Sequence, residues 1–272
     1  KIGLFGSIIH ANEISEVSDV DIYVEFDPRL KTIDNYFNLY DKLEEIFEKI
    51  ERDYPNCSAD LYNLVDLLPD SYRAINLPDA GLLIIRGILP ELGVHPDDLY
   101  DEQNLLTPDS KYFCRRRHKV LNKIARHNLC FDSDAQAPNY EHRQGTIVSW
   151  DQVPHLDRIR NSLPEMFGQL ASNLNAEGNY YYNPLKCGIG FHGDTERRIV
   201  IATRLHSESY RNCVYPIKYQ WFHRSSRIGD DLTIDLSHGD LYIMSEKTTG
   251  FDWKLRNIPT LRHAAGGPKY TQ

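Results

Sequence analysis

His192 and Asp194, in Gly188-Ile189-Gly190-Phe191-His192-Gly193-Asp194, have the types and spacing that suit a transition metal. On a strand, residues two apart share a face, so the imidazole and the carboxylate point the same way and Gly193 leaves room opposite. A second histidine from a distant strand would complete a 2-His-1-carboxylate facial triad, which holds iron(II) and leaves positions open for a cosubstrate and O2. Two residues could supply it: His238 in Ser237-His238-Gly239-Asp240, and His263 in Leu261-Arg262-His263-Ala264-Ala265-Gly266. Eleven histidines are present, so most of the others must be structural or exposed.

A second constellation lies near the start. Gly6-Ser7 is followed by Asp19-Val20-Asp21 and later by Asp60. Alternation along a strand puts Asp19 and Asp21 on one face, and paired carboxylates suit hard divalent ions such as Mg²⁺. Gly6 would let a phosphate approach the backbone, with Ser7 as a hydrogen-bond donor to it. Asp60 could act as a third ligand or as a base. Two ions held in this way would stabilise both oxygens of a phosphoryl displacement.

These residues need elements to position them. Residues 2–7 read as a short apolar strand, 21–26 as an alternating β-branched strand and 58–62 as a third. Between them, residues 34–52 carry Leu39, Leu43, Ile46, Phe47 and Ile50 at helical spacing, with Asp34 as an N-cap. Residues 66–86 read as helical pieces broken by Pro69 and Pro78. An acidic, Pro-containing stretch over 87–110 marks a domain boundary. Beyond it, residues 111–126 form a basic run with Tyr112 and Phe113 interleaved, expected to be a helix face able to track phosphates. Short strands then follow at 146–150, 199–205, 217–222, 232–236 and 240–244.

The totals restrict the possibilities. The chain has 272 residues, of which 41% are hydrophobic and 26% charged. No stretch reaches the roughly 18 to 20 apolar residues of a membrane span, so no membrane partner is expected. The start lacks a signal-peptide pattern, and an intracellular location, cytoplasmic or nuclear, is the default. Five cysteines without a C-x-x-C pair point to neither a disulfide framework nor a zinc site. The net charge of −8 would repel nucleic acid in bulk, leaving the basic run as a local exception.

Two resemblances follow from these residues. Gly6-Ser7 with Asp19-x-Asp21, an amphipathic helix and Ser58-Ala59-Asp60-Leu61 resembles the minimal nucleotidyltransferases of the polymerase-beta superfamily, over about residues 1–70. That resemblance implies Asp19, Asp21 and Asp60 as magnesium ligands, and transfer of a nucleoside monophosphate from a nucleoside triphosphate. The chain departs from the family after Ser7, where Ile8-Ile9-His10-Ala11 stands in place of a small residue, Arg and Gly.

Residues 111–272 resemble the AlkB-like 2-oxoglutarate- and iron(II)-dependent dioxygenases. In that family a Gly-Asp and an apolar strand precede the final histidine. Gly239-Asp240-Leu241-Tyr242-Ile243-Met244 fits this pattern, so the resemblance favours His263 over His238 as the third ligand. It also implies that an Asn and a Tyr on the strand before His192 contact 2-oxoglutarate. Tyr180, Tyr182 and Asn183 are the expected contacts, although Asn179, Tyr181 and Asn183 share the opposite face from Tyr180 and Tyr182. The cation for the far carboxylate of 2-oxoglutarate is then Lys269 or a residue beyond Gln272. The implied reaction oxidises a substrate C–H bond, giving hydroxylation or demethylation.

The expected fold is therefore α+β. A small nucleotidyltransferase-like α/β domain, 1–108, would be followed by a double-stranded β-helix (jelly-roll) dioxygenase domain, 109–272. The expected function is that of a dioxygenase acting on a nucleic-acid base in DNA or RNA. Trp221, Phe222, Phe251 and Trp253 could stack a flipped base or fill the core. One alternative is adenylylation of a protein or RNA end by the front half, with the back half for recognition. Another is a scaffold without catalysis.

Overall fold

The computed structural model describes residues 17–24, 39–73, 75–168, 171–213 and 215–272. The expected strand at 2–7, with Gly6 and Ser7, lies outside the described residues. Fourteen strands follow one another along the chain: β1 Val17–Val24, β2 Ser58–Asn63, β3 Gly81–Arg86, β4 Lys111–Cys114, β5 Lys119–Asn122, β6 His127–Asp132, β7 Ile147–Ser149, β8 Asn175–Tyr181, β9 Gly188–His192, β10 Ile199–His206, β11 Ile217–His223, β12 Ser226–Ile234, β13 Leu241–Met244 and β14 Thr260–Gly266. They form an eight-stranded sheet in the order β2-β3-β13-β10-β1-β8-β6-β7, a four-stranded sheet β12-β11-β14-β9, and the hairpin β4-β5. All pairings are antiparallel except β6 with β7.

This topology overturns the expected fold class. The strands of the front half do not close on one another as a small α/β domain. β2 and β3 extend the large sheet through β13, and β1 lies between β10 and β8, hydrogen-bonded to both. The expected boundary at 108/109 therefore has no counterpart in the hydrogen bonding. The physical reason is visible in β1. Val20 and Ile22 on one side and Asp19 and Asp21 on the other are all buried, so this strand requires neighbours on both faces and both edges.

Two layers cover the large sheet. Leu83, Ile85, Ile201, Ile243, Val20, Ile22 and Phe131 face helices Leu39–Asp53, Pro96–Asn104 and Pro154–Phe167. Leu43, Ile46 and Ile50 supply the apolar stripe of the first helix, as their spacing predicts. Buried Glu102 accepts hydrogen bonds from the N–H groups of His155 (2.7 Å) and Leu156 (3.1 Å), capping the third helix. On the other face, Leu82, Ile84, Val200, Ala202, Tyr242 and Met244 pack against Ile217, Tyr219, Trp221 and Leu261 of the four-stranded sheet. A run such as Leu82-Leu83-Ile84-Ile85, apolar on both faces, belongs to a central strand, which corrects the helical reading of 81–86.

The basic run is also corrected. Residues 111–122 form the β4–β5 hairpin, with Tyr112 opposite Leu121 and Phe113 opposite Val120. Arg115, Arg116, Arg117, His118 and Lys119 are exposed around its turn, and His118 takes a positive φ of 47°. Alternating Tyr, Phe, Val and Leu satisfy a two-residue period, which overrides the helical reading of the charges. No helix among the described residues is long and apolar enough to cross a membrane.

Candidate metal centre

The inner face of the large sheet changes character along its width. At the β3–β13 side it is apolar. At β10, β1 and β8 it carries Arg204, Asp19, Asp21, Glu177, Asn179 and Tyr181, which fall on one face by register. Opposite them stand His192 at the end of β9 and His263 in β14, Cα partners in the four-stranded sheet. Asp194 follows β9, and its N–H donates to the Thr249 carbonyl at 2.8 Å.

Ligand atoms of His192, Asp194 and His263 all lie within 4.8 Å of one another. Asp194 spans the two rings: Oδ1 is 3.8 Å from His192 Nε2, and Oδ2 is 4.0 Å from His263 Nε2. Both separations exceed hydrogen-bond length, so these groups converge without bonding to each other. His192 Nδ1 lies 2.9 Å from the Gly190 carbonyl and 3.1 Å from that of His263. Only a protonated Nδ1 can donate to them, which leaves the Nε2 lone pair facing Asp194. His263 Nδ1 is buried with no hydrogen-bond partner.

Electrostatics agree with this geometry. Burial, assisted by Arg126, holds His192 below the usual imidazole range, against the pull of Asp194. Burial and the neighbouring His192 bring His263 down to about 3. For Asp194, burial disfavours the charge, but Arg197, His263, His192 and Arg126 together outweigh it, and its carboxyl is held below the ordinary value. The set at neutral pH is thus two neutral imidazoles and one carboxylate, the protonation state that binds a divalent transition metal. The residues fit a metal, and iron(II), zinc and other N/O-binding ions are all compatible with the donors.

The structure brings His263, not His238, to Asp194. His238 instead accepts the His206 backbone N–H at Nδ1 (2.9 Å), and its Nε2 lies 3.4 Å from Asp97. The other expected set is not assembled. Asp60 in β2 is separated from Asp19 and Asp21 in β1 by β3, β13 and β10, or roughly 19 Å at ordinary strand spacing. Asp19 is engaged through both oxygens by buried Arg204. Asp21 accepts from Arg197 (3.2 Å) and Asn179 (2.8 Å). Asp60 pairs with Arg86 at 2.5 Å. The three carboxylates are ion-pair partners rather than a common magnesium site.

Several expected cosubstrate contacts lie elsewhere. Tyr180 faces the helices and donates to Gln103 at 2.9 Å. Tyr182 stacks on His127 and donates to the Ile124 carbonyl at 3.0 Å. Asn183 lies beyond β8, with a buried side-chain oxygen that has no hydrogen-bond partner. Lys269 is exposed, over the ring of its neighbour Tyr270. The residues that do face the centre are Asn179 and Tyr181, whose shared face alternation had indicated, together with Arg126, Arg197 and Glu177. No local motif marks the last three. Arg197 binds both Asp21 and Glu177, and its Nη1 lies 4.0 Å from Asp194.

No family model matches the chain. An uncharacterized protein of Acanthamoeba polyphaga mimivirus is 47% identical over 181 residues, covering 66% of this chain and 68% of the relative. At that identity and coverage, the chain belongs to the same protein family as the mimivirus protein.

Proposed function

We propose that the protein is an iron(II)- and 2-oxoglutarate-dependent dioxygenase of AlkB-like character. The carrying observation is the convergence of His192 Nε2, Asp194 and His263 Nε2 inside a two-sheet sandwich, with the His192 ring turned by backbone carbonyls. Two imidazoles and one carboxylate on one side of an ion leave its other side for ligands. Bound iron would supply activation of O2, so that one oxygen atom enters a substrate C–H bond while the other enters succinate as 2-oxoglutarate loses CO2. The chain's own part is to fix the three donors, to keep both imidazoles neutral and to hold the ion away from bulk water.

A nucleic-acid base is the proposed substrate. The exposed arginines and lysine of the β4–β5 turn form a local positive projection on a chain of net charge −8, and phosphate contacts of this kind position a strand. The test is anaerobic loading with iron(II), metal analysis, and succinate release from 2-oxoglutarate with methylated single-stranded oligonucleotides. One ion per chain and succinate release that Asp194→Ala abolishes and Asp60→Ala spares are expected. Protein that retains no metal, or turnover that survives Asp194→Ala, would refute the reading and leave a binding scaffold.

A further inference from the structure

The inner face around the metal centre carries the carboxylates Asp19, Asp21, Glu177 and Asp194, and the cations Arg204, Arg197, Arg126 and Lys123. Arg204 is matched to Asp19, and Arg197 to Asp21 and Glu177. Asp194 belongs to the metal donors. Two cations are left over, both from the segment between β5 and β6. Lys123 is fully buried, and its Nζ has no hydrogen-bond partner. Asp109, the carboxylate acting most strongly on it, spends its oxygens on Tyr140 Oη (2.8 Å) and on the N–H (2.8 Å) and hydroxyl (2.7 Å) of Thr146. Arg126 donates through Nε to Asn179, and no ion pair is found for it among the described residues.

The segment is fixed at the mouth between the sheets. Lys123 N–H donates to Ser110 (2.9 Å), and Gly188 N–H at the start of β9 donates to Ala125 (3.1 Å). Tyr182 at the end of β8 holds Ile124. Asn179 passes the order on: it accepts from Arg126 and donates to Asp21, so the guanidinium is held against the strand that faces the metal donors. The Arg126 charge reaches His192, Asp194 and His263 alike. Lys123, although lowered to about 8 by burial, remains charged at neutral pH. A buried ammonium without an anion is costly, and a ligand carboxylate relieves that cost.

We infer that Lys123 and Arg126 form an anion anchor beside the metal centre, which takes the far carboxylate of a 2-oxo dicarboxylic acid whose other end reaches the metal. This assignment rests on the dioxygenase reading and places on the β5–β6 segment the role expected of Lys269. The planar fork of Arg126 supplies two-point recognition of a carboxylate, and Lys123 supplies a point charge from below.

The experiment is calorimetric titration of manganese(II)-loaded protein, a redox-silent form, with 2-oxoglutarate and with 2-oxobutyrate, which lacks the far carboxylate. Arg126→Gln and Lys123→Met should each weaken 2-oxoglutarate binding about ten- to hundredfold. They should leave manganese affinity and 2-oxobutyrate binding unchanged, and Arg126→Lys should lose less than Arg126→Gln. Thermal unfolding of each variant checks that the fold is kept. If wild-type protein binds 2-oxoglutarate and the variants bind it equally well, or lose both acids alike, the anchor is wrong and the dioxygenase reading stands. If manganese-loaded wild-type protein binds neither acid, the dioxygenase reading falls and the anchor with it.

Discussion

The Nδ1 atom of His192 lies 3.1 Å from the carbonyl oxygen of His263, so the backbone of one metal donor orients the ring of the other. The two residues are Cα partners across β9 and β14, with ring centroids 4.5 Å apart. Strand pairing, rather than a remote carboxylate, thus sets both the spacing and the tautomer of the pair. A donor set built into a ladder is as rigid as the sheet that contains it.

His192→Ala, Asp194→Ala and His263→Ala should therefore each abolish stoichiometric metal retention, whereas His238→Ala should leave one ion per chain. Elemental analysis after gel filtration measures this directly. Retention by His263→Ala with loss by His238→Ala would reverse the assignment of the second histidine.

Gly193 separates two donors and has no space for a side chain. A Cβ there would collide with the Gly250 carbonyl and lie 2.7 Å from Trp253 Cδ1. The opposing carbonyl is backbone and cannot swing away, so Gly193→Ala must displace the β9 end with His192 and Asp194. Metal affinity should fall about 10- to 100-fold, the range for losing outer support of a metal ligand. Competition with a chromogenic chelator reads the affinity, and an unchanged value would show that the strand end has slack.

Asp19 and Arg204 form a buried pair, 3% and 0% exposed, and Arg204 also donates to the Tyr215 carbonyl. Removing one partner leaves an uncompensated charge, so Asp19→Ala should cost about 3–5 kcal/mol in denaturant unfolding. Asp19→Leu with Arg204→Met should recover much of that loss. Added Mg²⁺ should stabilise neither wild-type protein nor variant; a magnesium-dependent rise in Tm of the wild type alone would restore the carboxylate to a metal role.

What the sequence revealed depended on whether a signal was local. His192-x-Asp194 was legible because two residues on one strand carry it, and the Gly239-Asp240 strand before His263 narrowed the third donor. The helix at 39–53 and β10, β11 and β13 were legible from periodicity. The Asp19-x-Asp21 motif was read correctly as a strand and incorrectly as the core of a separate domain, since a strand's neighbours are not written in its own residues. Arg204, some 185 residues away in sequence, decides what Asp19 does. Arg126 and Lys123 were noticed only as part of a basic run. Alternation of Tyr112, Phe113, Val120 and Leu121 makes most of that run a hairpin, and its last residues turn inward instead of toward solvent.

His206 gives the fold an acid-sensitive point away from the metal donors. It is 1% exposed in β10, neither ring nitrogen has a hydrogen-bond partner, and burial, helped by Arg204 and His238, lowers it from 6.5 to about 3. The unfolded chain takes up a proton at this residue as pH falls through 6.5, while the folded chain resists until about 3. The neutral ring therefore adds stability that is complete above pH 6.5 and is lost progressively toward pH 3. The slope contributed is up to about 1.4 kcal/mol per pH unit. Replacing the ring by a side chain that cannot take a proton, as in His206→Leu, should flatten the stability curve in that window and leave it unchanged in shape above it. Urea unfolding of both proteins across the range measures the difference, and parallel curves would show that His206 is not the group that titrates.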